Sequence, residues 1–330
     1  MPPAPDPRFD LPDPGRSFAV VGLGGAGGEA VRDLVEFGIP SVRAFAVNTD
    51  FRHLRQLTLD ERILLGERTL QGRGAGGNRS AVLEAAEEGR EELLRRLRPF
   101  EVVFLIAGLG GGTGSALLPY LANLLKETDA LPVPIVFLPF HLEIQTDSER
   151  RENVRTTLAE LEGVGGLLLA LSNEKLRRFE RLPIARVFHV RNAYVHHLVT
   201  SLVDMVEQPS QLNVDLASLK THLGDAGVST LVSSEFHVSE PERLVDQALT
   251  ESLLDFCVGD SPTALVHIDG GSNLTLHTMD RIVQAMRRRL GEPRRLMLGT
   301  RTHPERRDIV RLTAVVGGLR PGTLQSASGV

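Results

Sequence analysis

The sequence predicts an α/β fold whose first half forms a mostly parallel sheet. Two apolar runs rich in β-branched and aromatic residues, 17–22 and 102–106, each lead into a glycine-rich loop and then into a helical pattern. Similar runs alternate with helical segments as far as residue 172, which is the arrangement typical of parallel sheets. Right-handed crossovers place the loops that follow such strands on one edge, where open α/β sheets bind their ligands.

Composition limits the classes of protein that fit this chain. Its 330 residues are 42% hydrophobic, which is enough for one or two cores, and a net charge of −5 does not indicate a nucleic-acid partner. A single cysteine, Cys257, excludes an internal disulfide, and no apolar run reaches the roughly 18 residues that span a bilayer. We therefore expect a cytoplasmic protein with no direct membrane anchor, preceded by a disordered, proline-rich tail at 1–16.

The glycine loop at 108–115, GLGGGTGS, is the strongest single feature. Few side chains obstruct its backbone, so several N–H groups can point at one anion, and a following helix adds partial positive charge. We expect Thr113 or Ser115 to cap that helix, with Pro119 near its first turn. No Gly-Lys-Ser/Thr follows the glycines, so the loop is not a P-loop. The pattern predicts a phosphate site.

Two further glycine loops flank this one in sequence. Residues 22–28, GLGGAGG, satisfy G-x-G-x-x-G between the first strand and a helix predicted at 29–37. The next strand, 41–47, ends in Asn48-Thr49-Asp50, so a Rossmann unit with Asp50 as the ribose acid, in a nicotinamide enzyme, stays an alternative. The third loop, at 72–78, precedes a helix predicted at 80–97.

The remaining elements follow from apolar patterns. Further strands are expected at 134–139, 166–172, 228–236, 263–268, 294–299 and 309–316. Further helices are expected at 152–162, 193–207, 240–256 and 278–290. The second half contains no glycine loop of the phosphate-binding type after a strand, so ligand chemistry is predicted for the first half.

Seven motifs in order resemble the tubulin/FtsZ family from about residue 17 to 317: GLGGAGG, AVNTD, GRGAGGN, GLGGGTGS, PFHLE, SNEKL and LNVDLAS. The chain is closer to FtsZ, the prokaryotic division protein. This resemblance implies a Rossmann-like GTPase domain, a long central helix and a smaller α/β C-terminal domain. It also implies GTP or GDP as ligand, Mg²⁺ as a candidate companion, and head-to-tail filaments with itself or with related family subunits. The implied domains are a nucleotide-binding domain at 17–192, a central helix and catalytic loop at 193–223, a C-terminal domain at 224–320 and a tail at 321–330.

The resemblance also assigns roles to single residues. Phosphates would be held by Gly24, Gly25, Gly76, Gly77, Gly110, Gly111, Gly112, Thr113 and Gly114, with Asn48 in the same binding set. Glu143 would accept from the ribose, and Arg150 or its neighbour Arg151 would meet phosphate or ribose. Asn173 and Asn192 would read the guanine edge and Phe188 would stack on it. Catalytic Asp215 and Asn213 would act on the nucleotide of the next subunit. No residues are expected to form a protein metal site, since adjacent His196 and His197 face different sides of a helix.

Two departures from the FtsZ pattern affect the expected activity. FtsZ has Asn where this chain has Glu29, and a carboxylate there repels a nucleotide unless it turns away or shares a cation. The second acidic position of the catalytic loop is Ser218, and a serine cannot act alone as a general base near pH 7. We therefore predict a cytoskeletal GTP-binding protein with weak or conditional hydrolysis. A non-polymerising GTP-binding regulator of a related filament is the second hypothesis, and the nicotinamide enzyme is the third.

Overall fold

One ten-stranded sheet runs through both halves of the protein, whose computed structural model describes residues 17–39, 41–207, 214–224 and 226–320 together with residues 324 and 329. The strands are β1 (Phe18–Leu23), β2 (Val42–Asn48), β3 (Glu61–Leu64), β4 (Val102–Gly108), β5 (Leu131–Leu138), β6 (Leu168–Ser172), β7 (Val228–His237), β8 (Val258–Gly270), β9 (Arg295–Thr302) and β10 (Ile309–Leu319). The predicted tails lie outside the described residues, apart from 324 and 329, and so does Asn213.

Helices connect these strands and cover the sheet. They are α1 (Gly24–Phe37), α2 (Phe51–Gln56), α3 (Arg79–Glu88), α4 (Arg90–Leu97), α5 (Gly112–Leu125), α6 (His141–Thr146), α7 (Ser148–Val164), α8 (Ile184–Glu207), α9 (Leu216–Gly224), α10 (Pro241–Thr250) and α11 (Leu276–Leu290). Short 3-10 helices cover Asn173–Phe179 and Pro304–Arg306.

The strand order is β3-β2-β1-β4-β5-β6-β7-β10-β8-β9. From β3 to β6 every neighbouring pair is parallel, whereas β10 runs antiparallel to both β7 and β8. The two regions join where Leu168 pairs with Val228 and Leu169 pairs with Ser229. The predicted fold class is confirmed: a mostly parallel domain, a long helix α8 and a smaller α/β domain.

The core lies on both faces of the parallel strands. On β4, Val103 and Leu105 pack in the same cluster as Leu117 of α5, whereas Phe104 packs in the opposite cluster with Val195 of α8. Both faces of β4 are therefore removed from water, which explains why its sequence is a continuous apolar run instead of an alternating one. The strand holds the loop at its carboxyl end in a fixed position.

Several element boundaries differ from the sequence-based predictions. Helix α1 begins at Gly24 and not at 29, so the glycines of GLGGAGG form its first turns. The helix predicted at 80–97 is divided at Gly89, where an added Cβ would lie 2.5 Å from Leu65 Cδ2. The long helix α8 begins at Ile184 and not at 193, so the predicted domain border at 192 lies inside it. Strand β3 was not predicted because charged and apolar residues are mixed in its four positions.

The predicted cap of α5 is wrong, and a side chain explains why its proline is tolerated. The helix begins at Gly112 with Gly111 at the N-cap, while Ser115 Oγ accepts from Gly110 N–H at 2.9 Å. Pro119 lies in the helix interior and offers no N–H to the carbonyl of Ser115, four residues earlier. Thr157 Oγ1 from α7 lies 2.9 Å from that carbonyl and 2.7 Å from Asn153 O, so its single proton is shared between them and compensates in part for the missing bond.

Candidate nucleotide-binding site

A cleft of about 320 Å³ opens at the carboxyl edge of the parallel strands. Leu23 of β1, Gly108 of β4 and Phe137 of β5 lie in its wall, and helix α8 closes one end. The predicted site residues that line it are Gly25, Gly111, Gly112, Thr113, Gly114, Glu143, Arg150, Asn173 and Phe188. Those that the structure describes away from its lining are Gly24, Asn48, Gly76, Gly77, Gly110, Asn192 and Asp215.

The three glycine loops meet backbone to backbone at the floor of the cleft. A Cβ added to Gly24 would lie 2.9 Å from the backbone nitrogen of Gly114, and one added to Gly112 would lie 2.7 Å from the carbonyl carbon of Gly77. Real Cβ atoms do not approach backbone so closely, so glycine is required at these positions. The dense glycines therefore bring three segments together and leave their N–H groups open to a ligand.

Two helices begin at this floor. Helix α1 starts at Gly24 and α5 starts at Gly112, and neither has a side-chain cap. The unpaired N–H groups and positive dipole ends of both helices are directed toward the cleft, and this arrangement favours an anion such as phosphate.

Asn48 shapes the loop beside the floor. Its Oδ1 accepts from the N–H groups of Thr49, at 2.8 Å, and Asp50, at 3.2 Å, and its side chain is almost fully buried. Thr49 Oγ1 in turn lies 3.0 Å from Thr113 Oγ1. Asn48 thus links the end of β2 to the phosphate loop, although it does not itself line the cleft.

Glu143 and Arg150 form an ion pair at the rim, with Arg150 Nη1 3.0 Å from Glu143 Oε2. The other carboxylate oxygen of Glu143 accepts from Phe140 N–H at 3.0 Å. Arg151, the other candidate, points away and donates through Nε to Ile144 O at 3.1 Å. Of the two candidates at 150 and 151, Arg150 is the one that lines the cleft.

Phe188, Arg191 and Asn173 form the end of the cleft beneath α8. The Arg191 guanidinium carbon lies 3.6 Å from the ring centroid of Phe137 and 4.8 Å from that of Phe188. Its Nη1 donates to Asn173 Oδ1 at 3.1 Å. Sequence reasoning missed Arg191, although its spacing of three from Phe188 places both on one helix face.

Asn192, predicted at the guanine edge, is buried behind this arginine. Its Oδ1 accepts from Arg191 Nε at 3.2 Å and Nη2 at 3.1 Å, and its Nδ2 donates to Asp33 Oδ2 at 2.8 Å. The amide is therefore used to position Arg191 and to satisfy a carboxylate of α1.

Glu29 lines the cleft and contacts His53. His53 Nε2 lies 3.5 Å from Glu29 Oε1, and this hydrogen bond together with nearby positive charge keeps the pKa of Glu29 below its ordinary value. The side chain is 54% exposed. That it turns away from a bound nucleotide or shares a cation with it stays a prediction.

Asp215 lies on the opposite edge of the sheet. It precedes α9, where Lys220 Nζ donates at 2.6 Å to the carbonyl of Asp129, just before β5 begins. Ser218 holds the Asp215 carboxylate through Oγ at 2.6 Å and through its N–H at 2.8 Å, and these bonds lower the pKa of Asp215. The exposed carboxylate is thus charged and oriented, but distant from the cleft of its own chain.

The cleft has glycine loops and two helix N-termini at the carboxyl edge of a parallel sheet, and at one end a polar pocket in which an arginine packs on two aromatic rings. These features define an α/β nucleotide-binding protein. Residues 17–180 match the GTPase domain of the Tubulin/FtsZ family, and residues 234–320 match the FtsZ family C-terminal domain. The cell division protein FtsZ of Haloferax mediterranei is 32% identical over 321 residues, covering 97% of this chain and 84% of that protein. The chain belongs to the tubulin/FtsZ family of cytoskeletal GTPases.

Solved structures agree with this assignment. An empty FtsZ dimer from Methanocaldococcus jannaschii has a TM-score of 0.80 at 30% identity, over 92% of this chain and 88% of that one. A GTPγS-bound protofilament of CetZ2 from Haloferax volcanii has a TM-score of 0.78 at 21% identity, over 95% and 98% of the two chains, and shows the shared fold. Nothing in these comparisons supports the nicotinamide-enzyme alternative.

Two further observations concern membranes and metals. Within the described ranges, no helix combines the length and apolarity needed to cross a membrane. The same residues contain no group of three or more His, Cys, Asp or Glu side chains that could hold a metal ion.

Proposed function

We propose that this protein binds GTP or GDP in the cleft and assembles head to tail, with the Asp215 segment of one subunit facing the nucleotide of the next. The observation that carries the proposal is that the cleft and Asp215 lie on opposite edges of one sheet. Stacking subunits in one direction brings the two edges together in a heterologous contact. The dimer and the protofilament among the related structures support self-association of this kind.

In this proposal the nucleotide lies along the cleft with its phosphates at the glycine floor. Backbone N–H groups of 24–25 and 111–114 and the side chain of Arg150 hold the phosphates, with the 76–77 loop closing beside them. The N–H of Gly110, predicted in the same set, is instead bonded to Ser115 Oγ. Glu143 contacts the ribose, while Phe188 and Asn173 hold the base. Mg²⁺ would accompany the phosphates and take most of its ligands from them and from water.

Hydrolysis, in this proposal, requires two subunits. The glycine N–H groups stabilise charge on the phosphates, but the cleft offers no assigned base that positions water. Asp215 from the neighbouring subunit supplies a carboxylate on the facing edge, and we expect Asn213, two residues earlier in the sequence, to supply an amide. Because Ser218 stands at the second acidic position, we expect turnover to be slow.

A competition assay tests the ligand and a sedimentation assay tests the assembly. We expect ATP to displace labelled GTP much more weakly than GDP does, and we expect the protein to pellet with GTP and Mg²⁺ but not without nucleotide. Equal displacement by ATP would contradict the ligand assignment.

The second candidate is a GTP-binding regulator that does not polymerise, and the replacement of a catalytic carboxylate by Ser218 favours it. A stable longitudinal interface should bury more than about 1,000 Å². Protein that binds GTP but stays monomeric at high concentration would favour the regulator over the filament.

A further inference from the structure

Arg191 is a buried cation at the end of the cleft away from the glycine floor. It is only 4% exposed and lies between the rings of Phe137 and Phe188. Its described hydrogen bonds all go to amide oxygens, namely Oδ1 of Asn173 and Oδ1 of Asn192. Among the residues that the structure describes, no carboxylate lies within 4 Å of it to form an ion pair.

Burial opposes the charge of Arg191, and the carboxylates of Glu29, Asp33 and Glu143 favour it from beyond ion-pair distance. A buried charge is normally paired or fully hydrogen-bonded, and burial lowers the pKa of Arg191 to about 9. The guanidinium has five N–H groups in a fixed fork, and the three bonds described use one on each nitrogen. One N–H on each terminal nitrogen remains, and the side chain lines the cleft. The aromatic rings fix the plane in which these two donors lie.

We propose that Arg191 selects the base of the bound nucleotide by donating its two remaining N–H groups to O6 and N7 of guanine. The inference rests on the proposed function, since it assigns a residue to the base end of the same cleft. Guanine presents two adjacent acceptors on this edge, whereas adenine replaces one of them with an amino donor that would face the guanidinium.

Asn173 strengthens the same selection. Because its Oδ1 accepts from Arg191, its Nδ2 remains as a donor toward the cleft. Asn192 is the positioning residue behind the arginine, since it binds both Nε and Nη2. The polar groups at this end therefore offer hydrogen-bond donors, and a base with two acceptors on one edge satisfies them.

The first test uses the unmodified protein and calorimetric binding of four nucleotides. GDP and inosine diphosphate both keep O6 and N7, so they should show comparable affinity. 7-deaza-GDP lacks the N7 acceptor and should bind about tenfold more weakly, and ADP weaker still. Equal binding of GDP and 7-deaza-GDP would overturn the assignment of Arg191 while leaving GTP binding intact. Failure to bind any guanine nucleotide would overturn the proposed function itself.

The second test compares Arg191→Gln and Arg191→Lys with Arg186→Gln, an exposed arginine near the start of the same helix. In Arg191→Gln, GDP affinity should fall at least about tenfold and the difference between GDP and 7-deaza-GDP should disappear. Arg191→Lys should restore little of the lost GDP affinity, because the lysine ammonium group lacks the two parallel N–H donors of a guanidinium. Arg186→Gln should match the wild type. A loss of affinity that is equal for GDP and ADP in Arg191→Gln would show that the arginine does not read the base, and would overturn the proposal.

Discussion

At the scale of single residues, the hydrogen bonds between Asp215 and Ser218 set the chemistry expected of the assembled protein. Ser218 donates both its hydroxyl and its N–H to the carboxylate, so Asp215 is kept ionised and fixed at the start of α9. A fixed carboxylate can orient water, but its lowered pKa makes it a poor proton acceptor.

Ser218→Asp should therefore raise GTP turnover. The new carboxylate restores the second acidic group and, by like-charge repulsion, raises the pKa of one member of the pair toward that of a useful base. Losing one acid–base group commonly costs about 10²–10⁴ in rate, so a gain of at least about tenfold is expected. Phosphate release per polymerised subunit measures it, with Ser218→Ala as the control that removes the hydroxyl without adding charge.

Asp215→Asn should abolish the remaining turnover and leave GTP affinity unchanged, because Asp215 is remote from the cleft of its own chain. Rapid wild-type turnover that survives Asp215→Asn would place the catalytic group elsewhere, with Glu29 as the next residue to test.

At the scale of elements, the 72–78 loop can pack closely against the start of α5 because the glycines at the contact have no side chains. Gly112 contacts the backbone of Gly77, whereas neighbouring Gly111 has open space around the position of a Cβ and an ordinary φ of −74°. The two adjacent glycines therefore provide a matched comparison.

Gly112→Ala should push the two loops apart, and Gly111→Ala should not. Overpacking of this kind costs about 1–3 kcal/mol, so we expect a lower melting temperature and GTP affinity reduced by about tenfold or more in Gly112→Ala. Calorimetric GTP binding and thermal unfolding of both variants check the result. Because Gly111 lines the cleft, the melting temperature is the matched comparison, and equal melting temperatures of the two variants would show that the loop contact does not stabilise the fold.

Helix α8 also contacts the second half of the protein through a neutral histidine. His197 Nδ1 lies 3.1 Å from Arg311 Nη1 of β10, and burial together with the charge of Arg311 lowers the pKa of His197 to about 4. The ring is therefore uncharged at pH 7 and accepts a hydrogen bond from the arginine.

Stability should fall as the pH drops through this range. In the unfolded chain a histidine binds a proton near pH 6.5, whereas in the folded protein His197 binds one only near pH 4. The stabilisation of the folded state by the neutral ring is therefore complete above pH 6.5 and is lost as the pH falls from 6.5 to 4. The loss is about 1–3 kcal/mol, allowing for partial solvent screening. Urea unfolding across this range measures it. His197→Gln should flatten the dependence, and His277→Gln, on the exposed face of α11, should not.

At the scale of the whole molecule, the sequence identified the cleft but only part of its contents. The glycine loops at 22–28 and 108–115 could be located because each follows an apolar strand, and the loop at 72–78 was recognised by its glycines and its place in the order of motifs. Arg191 could not be found because the helix was predicted to begin at 193, after it, so no pattern connected it to Phe188. Asn192 was placed at the base by the family resemblance. Its contacts with Asp33 and Arg191 were not predicted, because local sequence does not show which residues are neighbours in space.

Head-to-tail assembly uses two different surfaces of each subunit, so substitutions on the two surfaces should behave differently from substitutions in a symmetric dimer. Leu142 is 68% exposed on α6 at the cleft edge, and Ala217 is exposed on α9 at the opposite edge. Leu142→Glu and Ala217→Glu should each suppress GTP-dependent filaments by disrupting opposite halves of one contact, and two charges of the same sign cannot compensate each other across it. A mixture of the two variants should form heterodimers but no larger assemblies. Analytical ultracentrifugation measures the size of the species formed.

Each variant must still bind GTP with wild-type affinity for that result to count. Filaments that persist in both variants would mean that the subunits associate through other surfaces.

The short junction between β6 and β7 determines how the molecule would carry mechanical load. In a head-to-tail polymer, a pull along the axis enters at the carboxyl ends of the parallel strands and leaves at their amino ends. It therefore runs lengthwise through β1, β4 and β5, whose backbones resist stretching. The second half of the protein lies beside these strands. It joins the parallel strands where Leu168 pairs with Val228 and Leu169 pairs with Ser229, and α8 packs against it. A sideways force meets two paired residues at that seam, compared with seven between β4 and β5, so we expect the sheet to be weakest there.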